Sequence, residues 1–247
     1  MFDLVADIGN SRLKWGNLRR HDIFDTVVLP LDCPASWEQQ LQKWHCESGQ
    51  RWLLGGSQPQ VLDRLAEFLR QRTNSVTILN DYHDIPLPLR VEQPEQVGID
   101  RLLNALAVVK GTGRGQACVI INAGTAVTVD LVDDTGCFCG GAILPGLRLM
   151  AQSLHDYTAR LPFVTTFPSR PCLPGKNTQD AIANGIMRMM QGGIDRIVDD
   201  YRTGAGAVRV FLAGGDAQQF TQLRCSPEFR GEYLTLEGLR IVAESWR

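Results

Sequence analysis

The sequence predicts an α/β protein built of two related lobes, and three observations carry that expectation. Apolar runs of strand length alternate with segments of helical periodicity in both halves of the 247-residue chain. A strand, glycine corner and second strand, D-I-G-N-S at 7–11, returns as N-A-G-T-A at 122–126, about half the chain later. Glycine is also abundant, with 24 residues against a usual share of about 7%. Where those glycines stand bears directly on function.

The elements follow in order. Leu4 to Asp7 is an apolar run ending on a carboxylate, Gly9-Asn10 has turn chemistry, and Leu13 to Leu18 resumes as a strand. Leu62, Leu65, Ala66 and Leu69 share one face of a helix over 62–72. Pro94 opens a helix that runs through Gly98, Asp100 and Arg101 into LLNALAVV. The glycine-rich GTGRGQ stretch at 111–116 reads as a hinge. It divides the chain into lobes at 1–114 and 115–247. The second lobe opens with strands at Cys118–Ile121 and Val127–Val132, then a turn and a third strand ending at GGAILPG. Leu147, Met150, Ala151 and Leu154 mark another helix. Asn177 or Thr178 caps a longer one with Ile182, Ile186 and Met189 along a face. Val208–Leu212 is a buried strand entering A-G-G-D at 213–216.

Composition excludes several classes of function. A formal charge of −2, from 25 basic and 27 acidic side chains, does not suit a polycation for nucleic acid. No run of about 18 apolar residues offers a membrane span, and MFDLVADIGNSRLKW has no basic leader of a signal peptide. Seven cysteines, odd in number and without a C-x-x-C pair, fit reduced thiols in the cytoplasm. Four scattered histidines lack zinc spacing; His155 reads as a helix-surface residue, and the five tryptophans as core or interface aromatics.

The glycine corners are where chemistry concentrates. Without a Cβ, backbone N–H groups at such a corner can approach a phosphate. In DIGNSRLK, Asp7 can orient Mg²⁺ or its waters, Asn10 and Ser11 can hold phosphate oxygens, and Lys14 adds positive charge. An ordinary hairpin explains Gly-Asn equally well, so the motif alone leaves both readings open. Thr125 offers a hydroxyl at the second corner, and L-A-G-G-D-A at 212–217 suits close approach by an adenosine. Neither a G-x-x-x-x-G-K-[ST] loop nor a strand-to-helix G-x-G-x-x-G is present. Together the corners imply a nucleotide held between two lobes. Asp100-Arg101, by itself an ordinary surface ion pair, has clear work in a phosphotransferase. The carboxylate accepts a hydroxyl proton and the guanidinium clamps an anion.

These motifs resemble type III pantothenate kinases, of the acetate and sugar kinase/Hsp70/actin superfamily. The matching stretches are DIGNSRLKW (7–15), PEQVGIDRLLNA (94–105), NAGTAVTVD (122–130), GGAILPGLRLMAQSLHDYTARLP (140–162), GKNTQDAIANGI (175–186) and LAGGDA (212–217). LTLEGLRIVAE (234–244) is similar to the family's closing helix. The resemblance implies two ribonuclease-H-like lobes with ATP between them, transferring the γ-phosphate to the terminal hydroxyl of pantothenate. It implies Asp100 as general base, with Gly98, Ile99, Asp100 and Arg101 lining the pantothenate site. Asp7, Ile8, Gly9, Asn10, Ser11, Arg12, Leu13, Lys14 and Thr125 would contact ATP, and Thr178 would reach pantothenate across a homodimer interface. Mg²⁺ and a monovalent cation, potassium or ammonium, would be cofactors in a cytoplasmic enzyme.

Two positions depart from the family pattern. Asn122 stands where an Asp associated with the monovalent cation is common, and Val91 where a Tyr often precedes the Pro-Glu segment. The first removes a full negative charge while keeping a hard oxygen. The second removes a hydroxyl and an aromatic wall, which raises a kinase for another small hydroxylated acid as an alternative. A non-catalytic regulator on the same fold is the other, and the intact Asp7 and Asp100 count against it.

Overall fold

A computed structural model describes residues 2–246 except 21, 47, 73–74 and 114. The chain forms two compact units, Met1–Gly113 with Tyr233–Arg247, and Arg114–Glu232.

In the first unit the strands are β1 (Leu4–Ile8), β2 (Leu13–Arg19), β3 (Asp22–Leu29), β4 (Arg51–Gly56) and β5 (Ser75–Ile78). They lie in the order β3-β2-β1-β4-β5, with β1 antiparallel to β2 and parallel to β4. β1 is central and buried along its whole length, as expected of a strand covered on both faces. Alternation then assigns its side chains. Leu4, Ala6 and Ile8 join Trp15, Trp52, Leu54 and the helices α1 (Pro34–Lys43) and α2 (Pro59–Arg70) in one apolar cluster. Trp15 and Trp52 meet edge to face at 5.0 Å in this core, so the tryptophans are packing residues here. Val5 and Asp7, the intervening positions, point to the other face.

That other face carries α3 (Ile99–Thr112) and α6 (Leu234–Ser245). α3 is buried without a break from Leu102 to Val108, which is why its sequence is apolar nearly all round. Pro94 opens only a short 3₁₀ turn, Pro94–Gln96, and α3 itself starts after Gly98. The sequence assigned the whole of 115–247 to the second lobe, but α6 returns to the first. Its Leu236, Leu239 and Val242 are fully buried, and a Cβ at Gly238 would fall on the Leu103 carbonyl oxygen. Only a glycine there lets α6 lie this close to α3. The expected boundary residue, Arg114, lies outside the described residues.

The second unit repeats the topology. Its strands are β6 (Cys118–Ala123), β7 (Ala126–Val132), β8 (Phe138–Pro145), β9 (Arg209–Ala213) and β10 (Glu228–Phe229), ordered β10-β9-β6-β7-β8. β6 takes the place of β1, antiparallel to its hairpin partner β7 and parallel to β9. α4 (Leu147–Asp156) and α5 (Thr178–Ala205) cover one face, with Val119, Ile121, Val127 and Val129 beneath them. Met189, placed by sequence on the apolar face of α5, is exposed; Met187 and Met190 are buried instead. The repeat extends to the strand ends. A Cβ at Gly56 would fall on the Ile8 carbonyl, and one at Gly214, which has φ +103°, on the Ala123 carbonyl. Both units therefore press a glycine at the end of the fourth strand against the end of the first. Among the described residues, no helix is long and apolar enough to cross a membrane.

Candidate active site

The β1–β2 hairpin and the start of α3 bring the charged residues of the first unit together. Asp7 and Lys14 are directly paired across the β1–β2 ladder, so both side chains leave the sheet on the α3/α6 face. Lys14 Nζ lies 6.0 Å from the centre of the Tyr233 ring at the N-terminus of α6. Asp7 is buried, and burial is the main reason its carboxyl is pushed up to about 7. The Lys14 ammonium and a hydrogen bond from Thr235 pull it down, and the negative charge of Asp100 pushes it further up.

Asp100 occupies the first turn of α3, where unpaired backbone N–H groups and the helix field favour an anion. Its carboxyl is raised, chiefly by burial; the Arg101 N–H, the Arg101 guanidinium and its own N–H oppose that rise. Gly98 caps the helix, and a Cβ there would stand 2.6 Å from Asp100 Oδ1. A glycine is thus required for the carboxylate to fold back over the helix end. Ile99 lies beside the Gly55 backbone, and Arg101 is half-buried next to Asp100.

The corner between β1 and β2 is open to solvent at Asn10, Ser11 and Arg12. Gly9 N–H donates to the Arg12 carbonyl at 3.1 Å, and Ser57 N–H to the Ile8 carbonyl at 2.9 Å. Ile8 and Leu13, both expected at the nucleotide, have fully buried side chains. Only their peptide groups remain to offer a phosphate. The structure thus brings Asp7, Lys14, Asp100 and Arg101 into one unit around the end of β1.

Thr125 and Thr178 belong to the second unit. The Thr125 carbonyl accepts from Gly146 N–H at 2.9 Å, which fixes the corner against the start of α4. Asn177, not Thr178, caps α5: its Oδ1 accepts from Asp180 N–H at 2.8 Å, leaving Thr178 exposed in the first turn. The third corner closes through Gly214 N–H to the Gly231 carbonyl, 3.1 Å, and Asp216 N–H to the Ala123 carbonyl, 3.0 Å. His155 is exposed, its Nδ1 3.0 Å from the Leu161 carbonyl.

Sequence reasoning missed Thr235 and Asn104, which sit behind Asp7. Thr235 donates its hydroxyl to Asn104 Oδ1 at 3.0 Å, and both are buried. The available signal was polarity out of place, an Asn inside LLNALAVV and a Thr inside LTLEGL.

The donors suit Mg²⁺. Asp7 is a buried carboxylate, and a carboxylate is a hard oxygen ligand. Among the described residues no group of three or more His, Cys, Asp or Glu side chains could hold a metal. A magnesium ion here would take one protein carboxylate and complete its shell with phosphates and water. For a monovalent cation, Asn122 faces Thr128 across the β6–β7 ladder, and the buried Thr128 Oγ1 has no hydrogen-bond partner among the described residues. Amide and hydroxyl oxygens fit such an ion without neutralising it.

Comparison with known proteins shows the family of the chain. The chain is 40% identical over 260 residues to a type III pantothenate kinase of Aromatoleum aromaticum, covering 97% of each. It is 33% identical over 217 residues to one of Synechococcus sp., covering 87% of this chain and 80% of that one. Among solved structures, a Campylobacter jejuni protein provisionally described as a Baf family transcriptional activator superposes with a TM-score of 0.63 at 21% identity, covering 98% of both chains. MreB5 of Spiroplasma citri, bound to ADP, superposes at 0.50 with 8% identity, covering 98% and 96%. These last two share the actin-like fold. Residues 3–200 match the sequence profile of the type III pantothenate kinases, so the chain, with the Asp7 and Asp100 corners described above, belongs to that family.

Proposed function

We propose that this protein transfers the γ-phosphate of ATP to the terminal hydroxyl of pantothenate, giving 4′-phosphopantothenate and ADP, the first step of coenzyme A synthesis. The observation that carries the reading is Asp100, a carboxylate of raised basicity held at a helix N-terminus beside Asp7. Asp100 accepts the hydroxyl proton as the oxygen attacks the γ-phosphorus and the bond to the β-phosphate oxygen breaks. Arg101 pairs with the pantothenate carboxylate, and Gly98 and Ile99 shape its pocket wall. The backbone of 8–13, the Ser11 and Thr125 hydroxyls and Lys14 hold ATP phosphates. Asp7 would hold Mg²⁺ directly or through a water, and the ion would supply neutralising charge to the phosphates. Purified protein with ATP, Mg²⁺, pantothenate and ammonium is expected to form 4′-phosphopantothenate. Absence of product under every cation tested overturns the proposal.

Val91 supports a second reading, a different small hydroxylated acid as acceptor. Competition among several acceptors separates the two, since pantothenate must have the highest kcat/KM if the first holds.

Asn122 sets the cation dependence. With neutral oxygens at this place, potassium stimulation is expected to be shallow. Asn122→Asp restores a countercharge and should steepen it. Identical potassium titrations of the two proteins remove the idea.

We also assign a homodimer in which Thr178 completes the partner's substrate site. Ile143, Leu149, Tyr157, Leu173 and Met189 are among the large apolar side chains left exposed on the second unit. Light scattering on the same preparation is expected at twice the 27.4 kDa chain mass, and a monomer mass removes this assignment. Seven cysteines, odd in number and without a C-x-x-C pair, fit a reducing cytoplasm; disulfides in protein isolated under alkylation would contradict it.

A further inference from the structure

The tip of the β1–β2 corner is held from outside the hairpin. Backbone alone ties its base: Gly9 N–H donates to the Arg12 carbonyl at 3.1 Å, and Ser57 N–H, just past β4, to the Ile8 carbonyl at 2.9 Å. The second unit repeats the latter tie, from Asp216 N–H to the Ala123 carbonyl at 3.0 Å. In the first unit a side chain reaches further. Gln58 Nε2 donates to the Asn10 carbonyl at 3.1 Å, across 48 positions of sequence. Gln58 is the N-cap of α2, where a side chain ordinarily serves its own helix. Its amide makes no such capping bond and turns to the corner instead. A trans peptide group is planar, so its C=O and N–H point in opposite directions. With the Asn10 carbonyl turned onto Gln58, the Ser11 N–H on the same peptide is turned away from α2. Asn10 and Ser11 are both exposed, so it is turned to the open side of the corner. This is the central peptide of the turn at 9–12, the one whose flip separates the common turn types. Flipped, it would offer a phosphate a carbonyl oxygen, which repels it.

We propose that Gln58 is a positioning residue for ATP: it holds the Asn10 carbonyl, so that a backbone N–H of the tip and not a carbonyl oxygen meets the phosphates. The role rests on the reading that the backbone of 8–13 holds ATP phosphates. Gln58 carries no charge and touches no reacting atom. Its effect therefore falls on phosphate affinity and leaves proton transfer at Asp100 alone. The start of α2 becomes part of the nucleotide site through this one side chain.

The test compares the wild type with Gln58→Met, which keeps the side chain's length without a donor, and Gln58→Glu, which keeps its shape and, ionised, only accepts. The readouts are kcat, KM for pantothenate, and dissociation constants for a non-hydrolysable ATP analogue, tripolyphosphate and adenosine by calorimetry. Gln58→Met should weaken the ATP analogue about 3–10-fold, the scale of one neutral hydrogen bond. Tripolyphosphate should weaken by the same factor, while adenosine affinity, KM for pantothenate and kcat hold. Gln58→Glu should lose at least as much. Unchanged affinity for the analogue in both variants overturns the role. So does a loss shared equally by adenosine and tripolyphosphate, which would mean general loosening. If one variant does not fold, the other carries the same readouts; failure of both to fold also overturns the role, since the bond would then serve the fold. The Ser11 amide resonance of isotope-labelled wild type separates the two levels of failure. It should shift when Mg²⁺ and the analogue are added. No shift removes the corner assignment and Gln58 with it, whereas a shift beside normal phosphate affinity in Gln58→Met removes the role of Gln58 alone.

Discussion

Asp100→Asn is expected to lower kcat by roughly 10²–10⁴-fold, the range for loss of a positioned general base. The side chain keeps its shape and its hydrogen bond from the Arg101 N–H, so folding and ATP affinity should be close to unchanged. What disappears is the proton acceptor. Because burial raises this carboxyl above its ordinary value, the wild-type rate should rise with pH through a limb above the usual carboxylate range. The small residual rate of Asp100→Asn should lack that limb. Gly98→Ala gives a milder form of the same result. Its methyl would stand 2.6 Å from Asp100 Oδ1, so the carboxylate must rotate off the helix end, and kcat falls while thermal stability holds. An Asp100→Asn enzyme turning over near the wild-type rate sinks the assignment.

Asp7→Asn is expected to abolish most turnover and yet make the protein more stable above neutral pH. The carboxyl has a pKa of about 7 when folded, against 3.8 for the ordinary side chain. A raised value means the folded protein binds more protons than the unfolded chain between those limits. The contribution of this group to stability is therefore greatest below about pH 4, falls as pH rises toward 7, and stays reduced above it. The difference amounts to a cost on the order of 4 kcal/mol at pH 8, at about 1.4 kcal/mol per pH unit. Asparagine never incurs it. In metal-free buffer at pH 8 the variant should melt several degrees above the wild type, and near pH 4 the two should coincide. Adding Mg²⁺ and ATP should stabilise the wild type more than the variant. Equal melting temperatures at pH 8 would show that Asp7 is not held against an unfavourable charge. The pattern is the usual exchange of stability for function at a site.

Much of this architecture is legible in the amino-acid sequence. The two-lobed repeat is visible there because D-I-G-N-S and N-A-G-T-A are local patterns, with alternation and turn chemistry inside ten residues. The structure places them as β1–β2 and β6–β7 in matching sheets. The place of Asp100 in the first turn of α3 is legible because a helix start is a local pattern. Ile8 and Leu13 stand in the motif, but alternation along the hairpin sends their side chains into the core, so only their peptide groups stay at the corner. Met189 shows where a local pattern falls short, since 182, 186 and 189 share a helical face that Met190 shares as well, and only packing chose between them.

By itself, then, the sequence determined the order of elements, the glycine corners and the carboxylates, all properties of neighbours along the chain. The glycine excess belongs to that set, because a corner needs a glycine wherever backbone meets backbone. Tertiary structure alone decided that α6 leaves the second lobe and packs on α3 through Gly238. It also decided that Thr235 and Asn104, 131 residues apart, meet behind Asp7. Nothing in a local window records such a meeting, since burial against a distant element sets both the carboxyl's charge balance and its partners.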